Sequence, residues 1–303
     1  FAGWQIGKVK ESEDIFIDLY NNHKLKNEWK NYVFDNIINL KIEHRIKIEK
    51  IIKSEFIYKG NEEFRVPFKG IETIDKNYSG AYQDLFVLQC FNGKRNGTFL
   101  EIGAGDPLWG SNTYLLCEKF GWKGLSQDYD FNEWESVVCD GKTYSNHDYI
   151  EHIQKEWKEV RCKDNPLLLK DALKTDYIKL VDDGIIPPII DYLQLDIDPA
   201  KQTYELLKKL PFDCIDFKVI TYEHDTYDAG PEWREKSREF LKSKGYKLIA
   251  GNIATKDDEG NHIPFEDWWV NLKYIDELNI KHEVTNRSIL PVKEYMFKNL
   301  KNK

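Results

Sequence analysis

Cysteine is scarce and scattered: five residues, Cys90, Cys117, Cys139, Cys162 and Cys214, with no Cys-x-x-Cys pair among them. An odd, widely spaced set argues against a disulfide framework and against a zinc site, and it suits a reducing, cytoplasmic setting. No run approaches the roughly 18 apolar residues that a membrane span requires, and no secretory leader is visible at the start. A basic stripe is also missing. The 44 Lys and Arg stand against 52 Asp and Glu, for a net charge of -8, and lysines such as Lys24, Lys30 and Lys41 are mixed with acids. That removes the electrostatic reason to approach nucleic acid. The only methionine is Met296, and the chain opens Phe1-Ala2-Gly3. This is the composition expected of a piece cut from a longer polypeptide, whose other domains would then be its partners. Internal repeats are absent.

What is present is enough for one sizeable core: 303 residues, 41% of them hydrophobic. From Ser12 to Phe56, apolar residues such as Ile15, Leu19, Val33, Ile37 and Ile51 recur at three- and four-residue intervals, which predicts amphipathic helices. Gly60, Pro67 and Gly70 then mark a connection, so we expect a helical N-terminal accessory segment over 1–75 and a main domain over 76–303. In the main domain strands are predicted at 98–103, 123–127, 190–196 and 216–223, with helices at 82–91, 111–120, 148–158, 201–209 and 231–244 between and around them. Two later apolar segments, 246–253 and 268–272, suit a closing hairpin. Such alternation implies an α/β fold, a mostly parallel sheet with helices on both faces. Residues 159–171, where a third strand belongs, give no clear β pattern.

Gly97-Thr98-Phe99-Leu100-Glu101-Ile102-Gly103-Ala104-Gly105-Asp106 reads as an apolar strand running into a glycine turn. Glycines at 103 and 105 let backbone amides approach a ligand and permit turn angles that a β-carbon forbids. The next glycine, Gly110, comes five residues after Gly105, not the three of the dinucleotide fingerprint. A carboxylate at Glu101 favours a cation over pyrophosphate.

This stretch, with Ser111-Asn112-Thr113 and Gly121-Trp122-Lys123-Gly124-Leu125 after it, resembles the FkbM-like S-adenosylmethionine-dependent methyltransferases over residues 78–272. The resemblance implies a Rossmann-like class I methyltransferase fold with a seven-stranded sheet, and S-adenosyl-L-methionine as cofactor. It implies that Glu101, Gly103 and Gly105 hold the methionine part and that Asp128 takes the ribose hydroxyls. Asp171 and Ala172 then meet the adenine, while Ser111 and Asn112 either cap the following helix or touch the donor's carboxylate. Trp109 and Trp122 read as core.

Ligands of such a sheet gather at the carboxyl ends of its strands. Tyr192-Leu193-Gln194-Leu195-Asp196-Ile197-Asp198 and, one strand on, Glu223-His224-Asp225 bring acids to that edge. The pattern is similar to metal-dependent sugar O-methyltransferases, which implies Asp196 or His224 as general base. Asp196, Asp198, Glu223 and Asp225 are then candidate ligands for Mg2+ or Mn2+. Alternation along a strand sends Glu223 and His224 to opposite faces. The remaining histidines share no metal-ligand spacing. Glu266-Asp267-Trp268-Trp269 could line an acceptor pocket, with core packing the stronger account.

The expected function is methyl transfer to a hydroxyl of a saccharide, a glycan or a glycolipid. The rival expectations are a metal-dependent glycosyltransferase built on Asp196-Ile197-Asp198, and a catalytically silent fold used as a binding module.

Overall fold

The computed structural model describes residues 62–105, 107–108, 110–128, 136–139, 142–145, 155, 157–161, 165–256, 260–275 and 282–298. The helices expected within 12–56, and Trp109, lie outside the described residues. The chain divides into two compact units, Phe1–Ile57 with Trp134–His152, and Tyr58–Glu133 with Ile153–Lys303.

The elements run in chain order from α1 (Gln83–Cys90), β1 (Thr98–Ile102), α2 (Tyr114–Phe120) and β2 (Lys123–Asp128) to β3 (Ser136–Cys139), β4 (Lys142–Ser145) and β5 (Leu167–Leu169). They continue with α3 (Tyr177–Asp182), β6 (Ile189–Leu195), α4 (Ala200–Lys209), β7 (Asp216–Glu223), α5 (Thr226–Ala229) and α6 (Glu232–Ser243). The chain closes with β8 (Tyr246–Lys256), β9 (His262–Asn271), β10 (Leu290–Pro291) and α7 (Val292–Met296). In the first unit the described residues are the antiparallel hairpin β3–β4, with Ser136 opposite Ser145.

The second unit carries a Rossmann-like mixed sheet of eight strands in the order β10-β8-β9-β7-β6-β1-β2-β5. Eight replaces the expected seven, because the two-residue β10 adds to the outer edge of β8 in parallel. The missing third strand is Leu167–Leu169, which pairs in parallel with the end of β2. Three residues are too few to show a periodicity. β9 starts at His262, earlier than expected, and runs antiparallel to both β7 and β8, so the closing hairpin inserts its second strand between them.

β1 and β6 read as near-continuous apolar runs because both faces of the sheet are covered. On one face Phe99, Tyr192, Val219 and Trp268 pack under α1, whose residues from Gln83 to Gln89 are all buried. On the other, Leu100, Leu193, Ile220 and Trp269 meet α4 and α6, which are amphipathic. Phe64, Phe68 and Ile74 belong to the first of these clusters, together with Phe297. The stretch 64–74, placed before the expected boundary near 75, therefore packs with the sheet. Among the described residues no helix is long and apolar enough to cross a membrane.

Candidate functional site

The glycine turn is bound to its neighbours on both sides. Gly103 and Ala104 donate their amides to the Gln127 carbonyl, at 2.9 and 3.1 Å. Gly103 has φ 81°, and a β-carbon there would lie 1.5 Å from the Asp196 carbonyl oxygen, so only glycine lets β1 turn past the end of β6. Gly105, at φ 57°, would direct a β-carbon into open space. Its amide donates to Asp128 Oδ2 at 2.7 Å, which places the acid ending β2 against the turn.

Glu101 differs from expectation in one respect that matters. Its Oε2 is buried beneath the turn, where it accepts from Thr113 Oγ1 (2.7 Å), Ser126 Oγ (2.5 Å) and Arg161 Nη2 (3.1 Å). Arg161 is itself buried, and its Nη1 reaches Ser111 Oγ at 2.9 Å. The Asn165 carboxamide accepts from Arg161 Nε at 2.7 Å when its nitrogen faces the Gly124 carbonyl. The cation that meets Glu101 thus belongs to the protein. The acid supports the turn from below, and its charge no longer argues by itself against a phosphate ligand. Sequence reasoning missed Arg161, since one arginine 60 residues from its partner carries no spacing signal.

Ser111 acts as a cap as well, accepting from the Tyr114 amide at 3.1 Å at the start of α2. Asn112 is buried, and its Oδ1 has no hydrogen-bond partner among the described residues. Asp171 Oδ1 accepts from the Leu173 amide at 2.8 Å, capping the 3-10 turn that carries the buried Ala172, and its Oδ2 lies 3.7 Å from Lys174.

The strand register sets out two rows on one face of the sheet. The inner row is Ser126, Glu101, Gln194, Thr221 and Trp268 across β2, β1, β6, β7 and β9. Two residues further along, the strands bring Asp128, Gly103, Asp196, Glu223 and Glu266 to the same edge, with Glu223 directly opposite Glu266. Gln194 Oε1 is buried behind Asp196 with no partner among the described residues.

Asp196 and Glu223 share a hydrogen bond, which requires a proton between two carboxyls. Burial pushes Asp196 up to about 7, opposed by that hydrogen bond and reinforced by the charges of Asp225, Asp198 and Asp128. Burial, and then Asp196, hold Glu223 well above the usual carboxylate range. Glu266 is raised to about 8, chiefly by burial, although it accepts from Gln83 Nε2 (2.9 Å) and Trp268 Nε1 (3.0 Å). In the sequence Glu266 is named only as part of the Glu266-Asp267-Trp268-Trp269 segment, for an acceptor pocket, and Gln83 is not singled out there.

His224 stands apart from the carboxyl row in this arrangement. It is fully buried, with Nδ1 accepting from the Thr226 amide (3.3 Å) and close to Thr226 Oγ1 (2.7 Å), and with Nε2 3.5 Å from Asp267 Oδ1. Strand alternation turns it away from Glu223, toward a bidentate Arg238–Asp267 pair with contacts of 2.7 and 2.8 Å. Burial opposes ionisation of Asp267, yet the bonds from Arg238 and His224 outweigh it and hold that carboxyl well below its ordinary range. Asp198 is exposed, and Asp225 stands at φ 44° at the start of α5. Among the described residues no three His, Cys, Asp or Glu side chains are grouped so as to hold a metal ion. The Mg2+ or Mn2+ expectation for Asp196, Asp198, Glu223 and Asp225 has no support in the geometry. Trp268 and Trp269 are both fully buried, Trp268 stacked on Phe86 at 4.3 Å, so neither offers a face to a sugar.

No protein-family profile matches the chain, and no curated protein does. Among solved structures it is similar to a proposed rRNA methylase from Clostridium thermocellum, at 15% identity and TM-score 0.40 over 64% of this chain and 96% of that one. It is also similar to precorrin-6y C5,15-methyltransferase from Geobacter metallireducens, at 14% identity and TM-score 0.38 over 61% and 84% of the two chains. A third is MtNAS in complex with MTA and tNA, at 10% identity and TM-score 0.38 over 87% of this chain and 77% of that one. None of these likenesses bears on which reaction the residues of this chain perform.

Proposed function

We propose that the protein is an S-adenosyl-L-methionine-dependent methyltransferase whose acceptor is a hydroxyl group of a saccharide. The observation that carries the donor is the Gly105 amide held on the Asp128 carboxylate beside open space. A carboxylate at the end of the second strand has two oxygens spaced for the vicinal hydroxyls of a ribose. The unpartnered Asn112 Oδ1 and Gln194 Oε1 suit donors such as an ammonium group. The strand order supports the same reading over a dinucleotide, because an antiparallel β9 between β7 and β8 departs from the all-parallel dinucleotide-binding order.

Bound there, the donor supplies an electrophilic methyl group on a sulfonium. The chain's own residues then have to bring an oxygen in line with it and take that oxygen's proton. Asp196 meets the second need: with a pKa near 7 it is partly in its basic form at neutral pH, and Glu223, already protonated beside it, donates a hydrogen bond to that carboxylate until Asp196 takes the proton itself. A saccharide acceptor rests on the resemblance of the Asp196-Ile197-Asp198 and Glu223-His224-Asp225 segments to sugar O-methyltransferases. The glycosyltransferase reading needs a metal at these acids to hold a diphosphate, and their crowded negative charge otherwise repels one.

Calorimetric titration with S-adenosylhomocysteine, NAD+ and UDP-glucose separates the readings. Saturable binding of the first alone is expected. Binding of UDP-glucose or NAD+ with no heat from S-adenosylhomocysteine would overturn the proposal.

A further inference from the structure

A cavity of about 220 Å³ opens at the β10 edge of the sheet, away from the carboxyl row. We propose that it is a binding site for a small zwitterion of the apolar α-amino acid type. At about 30 Å³ per water the space equals roughly seven waters, which limits a ligand to about ten non-hydrogen atoms.

Part of the wall is apolar, formed by Val66, Leu290 and the ring of Tyr295; the rest is polar and includes His282 and Thr285. His282 is buried between Tyr295, stacked at 5.7 Å, and Phe86, edge-on at 5.2 Å. Its Nε2 has no hydrogen-bond partner among the described residues. A buried polar atom left unpaired is costly, so a ligand group that reaches it is favoured over one that cannot. Burial lowers the ring's pKa to about 4, so it meets a ligand as a neutral imidazole.

The rim carries both signs. Arg65 is fixed by its amide to the Met296 carbonyl (2.9 Å) and by Nε to the Glu294 carbonyl (2.8 Å), and it forms no ion pair within 4.0 Å among the described residues. The Glu294 carboxylate likewise has no ion pair there, whereas Arg287 and Glu283 face one another at 3.9 Å. A simple anion would meet the glutamates and a simple cation the arginines. A molecule with a carboxylate for Arg65, an ammonium for Glu294 and a short apolar chain for the walls satisfies all of them. The pocket lies five strand positions from β1, on the order of 20 Å, so occupying it does not block the proposed donor cradle.

The test is calorimetry of the full chain with L-leucine, 4-methylpentanoate and isoamylamine, the last two each lacking one charged group. L-leucine is expected to bind with a Kd of about 1 mM or tighter, and each half-molecule at least tenfold more weakly. Arg65→Ala, at an exposed position, is expected to weaken leucine at least tenfold while leaving S-adenosylhomocysteine binding unchanged. His282→Phe, checked for folding by circular dichroism, should weaken leucine about fivefold. No heat from leucine up to 10 mM, equal binding of 4-methylpentanoate, or undiminished binding by Arg65→Ala would each overturn the proposal.

Discussion

A β-carbon on Gly103 would stand 1.5 Å from the carbonyl oxygen of Asp196, so the turn after β1 and the end of β6 are in contact through backbone alone. Gly103→Ala should therefore combine a strained positive φ with a clash that only backbone movement can relieve. A loss of at least ~2 kcal/mol in urea denaturation is expected. A change below 0.5 kcal/mol would mean that the strand ends move apart freely.

Asp128→Ala removes the carboxylate that Gly105 holds in place. S-adenosylhomocysteine should bind at least tenfold more weakly by calorimetry, since a hydrogen bond to a charged group contributes about 1.5–3 kcal/mol. Thermal stability should change little, because the side chain is only partly buried. Unchanged affinity would remove Asp128 from the donor site.

Asp196→Asn should lower turnover about 10²–10⁴-fold with donor affinity intact, the usual range for loss of a general base. In the unaltered protein, turnover should rise through about pH 7 as Asp196 loses its proton. A flat profile between pH 6 and 8 would assign the proton transfer elsewhere.

Stability should vary with pH in the opposite sense. Asp196 and Glu266 have folded pKa values, about 7 and about 8, above their ordinary 3.8 and 4.5, so between those limits the folded state binds more protons than the unfolded chain. Their contribution is complete below about pH 4 and declines until about pH 8. Asp267, shifted downward, contributes above its ordinary 3.8 and loses that contribution in stronger acid. The thermal midpoint should thus fall from pH 5 to pH 8, and Glu266→Gln should flatten the upper part of that fall. An unchanged slope would show that Glu266 ionises normally.

Arg161→Met leaves Glu101 buried without its counter-charge, at a cost of about 3–5 kcal/mol. The double variant with Glu101→Gln should recover more than half of it. If the single variant costs less than 1 kcal/mol, the Arg161–Glu101 contact does not hold up the turn.

Much of the sheet was legible in the sequence for a physical reason. Strands such as Thr98–Ile102 and Ile189–Leu195 are buried on both faces and read as apolar runs ending in acids or glycine. Leu167–Leu169 and Leu290–Pro291 are too short for any periodicity to emerge. At the site, the strand-end acids could be named from register, and the opposite facing of Glu223 and His224 from alternation. Arg161 and Gln83 could not be found in this way, because each meets its acid, Glu101 and Glu266 respectively, only through the tertiary fold. What His224 meets on its side, Asp267, lies 43 positions further along and could not be read from alternation.

The reversed direction of β9 has one more effect. Asp198 and Asp225 stand beyond the ends of their strands, whereas Glu266 sits mid-strand, clamped by the ladder and by the side chains of Gln83 and Trp268. An incoming molecule therefore meets one fence post set firmly in the sheet, and its shape must be measured against that post.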